Sequence, residues 1–576
     1  MSFRLFWAVI PAVLLLGCSE PGEQADVSRQ EHGPGQLEAV FEWFEYQGKD
    51  TVFATPLDEN QYRNPILTGF YPDPSVVRVG EDFYLVNSTF GFYPGIPVFH
   101  SRNLVDWEQI GNVIDRAGML DLDRSHLSKD GVYAPTIEYH DGLFYVANTC
   151  VRCGGNYMVT ADNPAGPWSD PVWLPEVGGI DPSLFFDDGR VFVLNTNDPG
   201  GQALYDGHKA IWIREVDPVT FQPISERRML VNGGVNIADR PIWVEGPHLY
   251  KVGGAYYLSA AEGGTGMDHR QVVFRSAQIW GPYEPWENNP VLTQRDLPAD
   301  RVAPVTSTGH ADLVTDPEGN WWAVFLATRT YDEIHFNTGR GTFLLPVNWQ
   351  AGWPAILDQG MEVPYTGIRP ELPRLPALES PAAGNFILRE AFDALLPNNW
   401  LFIRIPKTQW WHSGDGQLTI EARNERIGDT AQPSVVARRV QHMNMVATTS
   451  MRFTPAGVGD EAGLIALQSD EYYFALGAGV NEEGETVLRL RHRHGADMPA
   501  RGEILNEIPL DAEPGTAIQL RIEVRGGDAE FSWSSDGKRF DSVYSGADAR
   551  TLSTMNAGGF VGAVVGMYAE GLSKVP

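Results

Sequence analysis

The sequence predicts an all-β protein with a five-bladed β-propeller followed by a β-sandwich, and three observations carry that expectation. One pattern recurs five times between about residues 61 and 364: a short segment, in four copies with a Pro, then a hydrophobic pair, a turn at Gly and an aromatic-rich strand. Beyond residue 385 the apolar residues alternate with period two between Gly- and Asp-rich turns. The 576 residues include 60 Gly and 41 Pro, which suits many short strands and tight turns. The length also leaves room for several domains.

The chain opens with Arg4 and an apolar run from Phe6 to Leu16, too short to span a bilayer, which reads as a signal peptide. The run ends Leu15-Leu16-Gly17-Cys18-Ser19. This resembles a bacterial lipoprotein box, with Gly17 the last residue removed and Cys18 receiving the lipid. The resemblance implies an exported body tethered by lipid, and Ser19 resembles a signal for outer-membrane sorting, on the periplasmic or the cell-surface face. Residues 1–18 are therefore expected as signal and lipobox, and residues 19–60 as a polar linker. A net charge of −31 repels phosphate backbones and excludes nucleic acid as a partner. The oligomeric state stays open.

Residues 61–364 hold the five copies. They begin at Asp73-Pro74, Ala134-Pro135, Asp181-Pro182, Glu245-Gly246-Pro247 and His310-Ala311, the last without Pro. Spacings of roughly 45 to 65 residues suit blades of about four strands. In a propeller the first strand of each blade lines the central channel, so these opening residues converge on one axis. Asp73, Asp181 and Glu245 would then share a cavity, an arrangement that packing does not explain, because buried acids without partners cost several kcal/mol each.

Residues 365–384, rich in Pro and Leu without periodicity, are expected as a linker, and residues 385–576 as the sandwich. Cys150 and Cys153 form either a local disulfide or two small buried side chains, with no catalytic role.

These residues resemble glycoside hydrolase family 43, the propeller β-xylosidases and α-L-arabinofuranosidases. Asn64 to Ser75 is similar to the segment bearing the family's general base, Gly179 to Ser183 to that of the aspartate tuning the acid, and Glu245 to Tyr250 to that of the general acid. Ser88-Thr89-Phe90 resembles the aromatic wall, Gly309-His310-Ala311 the axial histidine, and Gly339-Arg340-Gly341-Thr342 the arginine loop. The sandwich resembles the lectin-like, concanavalin A-like domain of the xylosidase branch. Tyr133 stands where many relatives have Trp and Gly341 where many have Glu, both expected where the sugar is gripped.

The resemblance implies an inverting, exo-acting hydrolase that releases pentoses from xylan oligosaccharides. Asp73 would be the base, Glu245 the acid, and Asp181 the group that raises the acid's pKa and orients it. Phe90, Tyr133, His310 and Arg340 would bind the sugar. No cofactor is required, and His310 either faces the sugar or ligates an axial calcium ion or water. His248 is left out, since strand alternation turns it away. An arabinofuranosidase confined to side chains, or a non-catalytic glycan-binding lipoprotein, are the competing readings. A retaining fructosidase lacks support, because the Asn-Asp-Pro-Asn opening of that group is missing.

Overall fold

The computed structural model describes residues 37–374, 376, 381–513 and 515–572. The expected signal and lipobox, including Cys18, and residues 19–36 of the expected linker lie outside the described residues. Among the described residues no helix is long and apolar enough to cross a membrane.

Five antiparallel sheets form the blades. Their first strands are Ser75–Val79, Thr136–His140, Ile180–Asp187, Glu245–Val252 and Val305–Thr315. Each contains one of the repeat starts or opens within two residues after it. Separate apolar cores fill the gaps between neighbouring blades, including one that joins Val76 and Leu85 of the first blade to Val324 and Leu344 of the fifth.

Hydrogen bonds run from blade to blade around the whole axis. Ser75 Oγ donates to Asp312 at 2.8 Å, and accepts from Ile137 N at 3.1 Å. Thr136 Oγ1 donates to the Pro182 carbonyl, Gly246 N to Asp181, and Tyr250 O–H to Asp312. The ring is thereby closed.

The Pro of the repeat has a structural reason. In the third and fourth blades the first strand is bulged at Asp181-Pro182 and Gly246-Pro247, with two residues opposite one, and the fifth blade does the same at His310-Ala311. Pro lacks an N–H and is tolerated where ladder pairing is broken. Asp181, Gly246 and His310 take positive φ of 53°, 58° and 51°, and Asp73 takes 52°. A bulge of this kind re-aims a side chain out of the sheet and into the channel mouth.

The sandwich consists of two eight-stranded sheets around one large apolar core. Its boundaries differ from those expected. Glu38–Gly48, within the expected linker 19–60, is a strand inside the first sheet, paired with residues 444–453 and 417–421 on either side. Ala39, Phe41, Phe44 and Tyr46 are fully buried. A bulge between Phe41 and Trp43 shifts the phase of the alternation, and the interleaved glutamates make the segment read as polar. The second sheet also takes Phe92–Tyr93 from the first blade. Within the expected linker 365–384, Thr366–Ile368 pairs with Gln61–Arg63. Cys150 and Cys153 are disulfide-bonded.

The two domains share a core. Phe70, Phe90, Phe92 and Leu127 of the propeller pack with Leu401, Ile403, Val435, Val561 and Tyr568 of the sandwich. Each buried side chain of this size contributes about 1.5–3 kcal/mol. An apolar interface of this kind disfavours independent motion of the domains.

If residues 38–48 are a core strand, Phe44→Ala removes a ring that packs edge-on against Trp400 at 5.2 Å. Its expected cost is about 3–5 kcal/mol, read as a lower midpoint in chemical denaturation. A loss below about 1 kcal/mol would return the segment to linker status.

Candidate active site

A cavity of about 290 Å³ lies at the mouth of the channel. All seven residues expected in the site line it: Asp73, Asp181, Glu245, Phe90, Tyr133, His310 and Arg340. The cavity is also lined by Trp243, Thr265, Ile180 and Phe560, which sequence reasoning missed.

Asp73 is held from two sides. Arg340 Nη1 donates to Oδ1 at 2.9 Å and the Ser88 hydroxyl donates to Oδ2. Burial pushes this carboxyl up, but Arg340, His310 and the Ser88 hydrogen bond outweigh it and hold Asp73 below the usual carboxylate range.

Asp181 and Glu245 shift the other way. Burial is the largest cause for both. The charge of Asp73 raises Asp181 further, and Asp181 and then Asp73 raise Glu245 well above its ordinary value. Gly246 N donates to Asp181 at 3.1 Å, fixing that carboxyl beside the residue that follows Glu245. Glu245 lines the cavity. One carboxylate ionised and one carboxyl neutral therefore face a common space.

His310 is buried, which pushes its pKa down to about 4 in spite of Asp73. Its Nδ1 lies 3.8 Å from Asp73 Oδ1, and its ring packs on Gly246, where a Cβ would come within 2.8 Å of the imidazole. A calcium ion takes six to eight oxygen ligands. Among the described residues no group of three or more His, Cys, Asp or Glu side chains could hold a metal.

Two expectations are corrected. His248 does not point away, because the bulge at Gly246-Pro247 restores its phase: Glu245 pairs with Ala261 and His248 with Ser259. It is buried, with its Nδ1 3.4 Å from Asp312 Oδ1. Gly341 is not among the residues that line the cavity. It lies against the loop that carries Asp73, where a Cβ would sit 2.9 Å from the Leu67 carbonyl, so this chain has no room for Glu there.

The aromatic wall is assembled across the domain interface. Phe90 stacks on Phe560 of the sandwich at 5.7 Å, and Tyr133 meets both rings edge-on. Arg340 Nη2 donates to the Phe560 carbonyl at 3.2 Å. Nothing in the sequence around Gly559-Phe560 signals this, because the contact joins residues 470 positions apart. Trp243 was legible in principle, since it lies two residues before Glu245.

A propeller cavity with an ionised and a neutral carboxyl, a buried arginine and an aromatic wall defines a glycosidase-type site. The model for glycosyl hydrolases family 43 matches residues 62–354, and that for the beta xylosidase C-terminal concanavalin A-like domain matches residues 389–575. A non-reducing end alpha-L-arabinofuranosidase of Bacteroides ovatus is 36% identical over 532 residues, 89% of this chain and 92% of that protein. A xylosidase/arabinosidase of Butyrivibrio fibrisolvens is 35% identical, over 89% of this chain and 96% of its own length. The crystal structure of a GH43_12 protein retrieved from a capybara gut metagenome superposes with a TM-score of 0.85 at 37% identity, covering 93% of this chain and all of that one. The chain belongs to glycosyl hydrolase family 43 and is a glycoside hydrolase, which removes the non-catalytic reading.

Replacing Arg340 by Met leaves Asp73 buried and unpaired, at an expected cost of about 3–5 kcal/mol at pH 7. Asp73 is depressed in the native protein, so its pairing stabilises the fold above its unfolded pKa and is lost as pH falls. In the variant its pKa rises, and protonation relieves the penalty. Urea denaturation should therefore show a difference between native and variant that shrinks from pH 7 to pH 5. A difference that grows toward acid contradicts the assignment.

Proposed function

We propose that this enzyme is an inverting, exo-acting β-xylosidase that also releases α-L-arabinofuranose from xylan-derived oligosaccharides. The opposite protonation of Asp73 and Glu245 in one cavity carries this reading. The names of the Bacteroides ovatus and Butyrivibrio fibrisolvens relatives support the pentose specificity.

Asp73 takes a proton from a water as its oxygen bonds to the anomeric carbon, the glycosidic C–O bond breaks, and Glu245 gives its proton to the departing oxygen. Asp181 keeps Glu245 neutral by like-charge repulsion and orients its strand through Gly246. Arg340 and His310 hold Asp73, while Phe90, Tyr133 and Phe560 offer apolar ring faces to the sugar. The scheme needs two carboxyl groups and a water, and no cofactor.

A second reading, an arabinofuranosidase confined to side chains, is favoured by the name of the Bacteroides ovatus relative. Release of xylose and of arabinose from the two nitrophenyl glycosides separates the readings, and the anomer first formed tests inversion.

The acid and base roles separate by leaving group. Glu245→Ala should lose about 10² to 10⁴ in rate on xylobiose, whose departing hydroxyl needs the proton, and much less on nitrophenyl xyloside. Asp73→Ala should disable both substrates to a similar degree. Equal losses on the two substrates for a folded Glu245→Ala variant would overturn the acid assignment.

We further propose that lipid on Cys18 anchors the enzyme to the outer membrane, on its periplasmic or cell-surface side. Cys18→Ala should move the protein from the membrane to the soluble fraction with catalysis unchanged. Continued membrane attachment would exclude the anchor.

A further inference from the structure

Two separate sets of aromatic side chains line the cavity. Phe90, Tyr133 and Phe560 form one connected cluster on the side of Arg340 and Asp73. Trp243 lines the cavity as well but joins none of those ring contacts. It precedes Glu245 by two residues, and its side of the cavity is continued by Gly264 and Thr265.

Trp243 is held in place at a conformational cost. Its φ is +52°, a region that a bulky residue enters only when its surroundings impose it, at about 1–3 kcal/mol. Trp243 N donates to the Gly207 carbonyl at 2.9 Å, and Gly263 N donates to the Ile242 carbonyl at 2.8 Å, so two neighbouring loops clamp the turn. Lys209 Nζ sits 4.5 Å from the centre of the indole and is paired with Asp198 at 2.6 Å. A cation over the ring fixes its plane. With all this support the residue is still 36% exposed. An indole pinned by backbone and cation yet left open to solvent beside a reaction cavity is suited to receive an apolar face from a ligand.

The chemistry selects which ligand. The group that protonates the departing oxygen must lie on the leaving-group side of the bond, and the base must lie across from it. Trp243 shares its short chain segment with Glu245. The three-ring wall shares its contacts with Arg340, which holds Asp73.

We propose that Trp243 is the platform on which the leaving-group sugar stacks, and so a specificity-determining residue for the portion of substrate beyond the cleaved bond. This rests on the acid and base roles given to Glu245 and Asp73. The C–H face of a xylopyranose residue is the matching surface.

The test compares a substrate with a leaving-group sugar to one without. On xylobiose, Trp243→Ala in the full-length enzyme should lower kcat/KM about tenfold, the size of one well-placed ring contact. On xylopyranosyl fluoride, whose leaving group cannot reach the indole, the change should stay below twofold. Trp243→Phe should recover most of the loss on xylobiose. Equal losses on both substrates would place the ring against the first sugar or in the fold, and no loss on either would leave it idle; each result overturns the proposal. A native enzyme inert on both xylosides refutes the xylosidase reading instead, and the same comparison is then made with an arabinofuranosyl oligosaccharide and arabinofuranosyl fluoride.

Discussion

The buried pair between Arg340 and Asp73 ties the molecule together. Arg340 stands on the fifth blade and Asp73 at the start of the first, so their contact at 2.9 Å spans the closure of the ring. The same guanidinium donates to the Phe560 carbonyl of the sandwich. A buried ion pair is worth little as a source of net stability, because desolvation offsets most of its attraction. Its effect here is electrostatic order. One cation among three buried acids can hold only one of them fully ionised, and the geometry gives that place to Asp73. The resulting negative charge then helps raise Asp181, and with Asp181 it raises Glu245 well above its ordinary value.

That arrangement requires side chains to leave the plane of their sheets. Regular strands would alternate between the channel and the blade interior, and the bulges at Asp181-Pro182, Gly246-Pro247 and His310-Ala311 interrupt the alternation at the mouth. Left-handed backbone at Asp73, Asp181 and His310 costs about 1–3 kcal/mol per residue. The interblade hydrogen bonds lie directly beside these positions, so the strain is held by the ring that the same strands build.

This explains what could be read from the sequence. The Pro of the repeat marks broken ladder pairing, and the acid before or near it marks the re-aimed side chain, so Asp73, Asp181 and Glu245 were legible from local pattern alone. The blades and most of the sandwich were legible too, through period two and glycine turns. The strand Glu38–Gly48 escaped because its bulge breaks the alternation and its acids dilute the apolar signal. His248 was misplaced by the same cause, since alternation was counted through a bulge that sequence does not announce. Gly341 was read as a change in sugar contact, whereas the crowding carbonyl of Leu67 comes from a segment more than 270 residues away. Phe560 could not be read at all, because only the packing of two domains brings it to Phe90.

The sandwich therefore belongs to the active site although it supplies no carboxylate. Arg439 on its second sheet stacks over Phe70 and Tyr71 at 4.6 and 4.3 Å and donates to the Phe70 carbonyl at 2.8 Å. Those residues lead directly into Pro72 and Asp73. Arg404 and Asp470 of the sandwich form a fully buried pair, and Arg404 Nε also donates to the Ser125 carbonyl of the propeller. The interdomain core continues from Phe70 and Val561 to Phe90, and its rim is the wall formed with Tyr133 and Phe560. Separating the domains would thus expose the core, free the loop before Asp73 and remove one ring of the wall together. The catalytic unit is the pair of domains, since the position of the loop that carries Asp73 and the shape of the cavity are both properties of their interface.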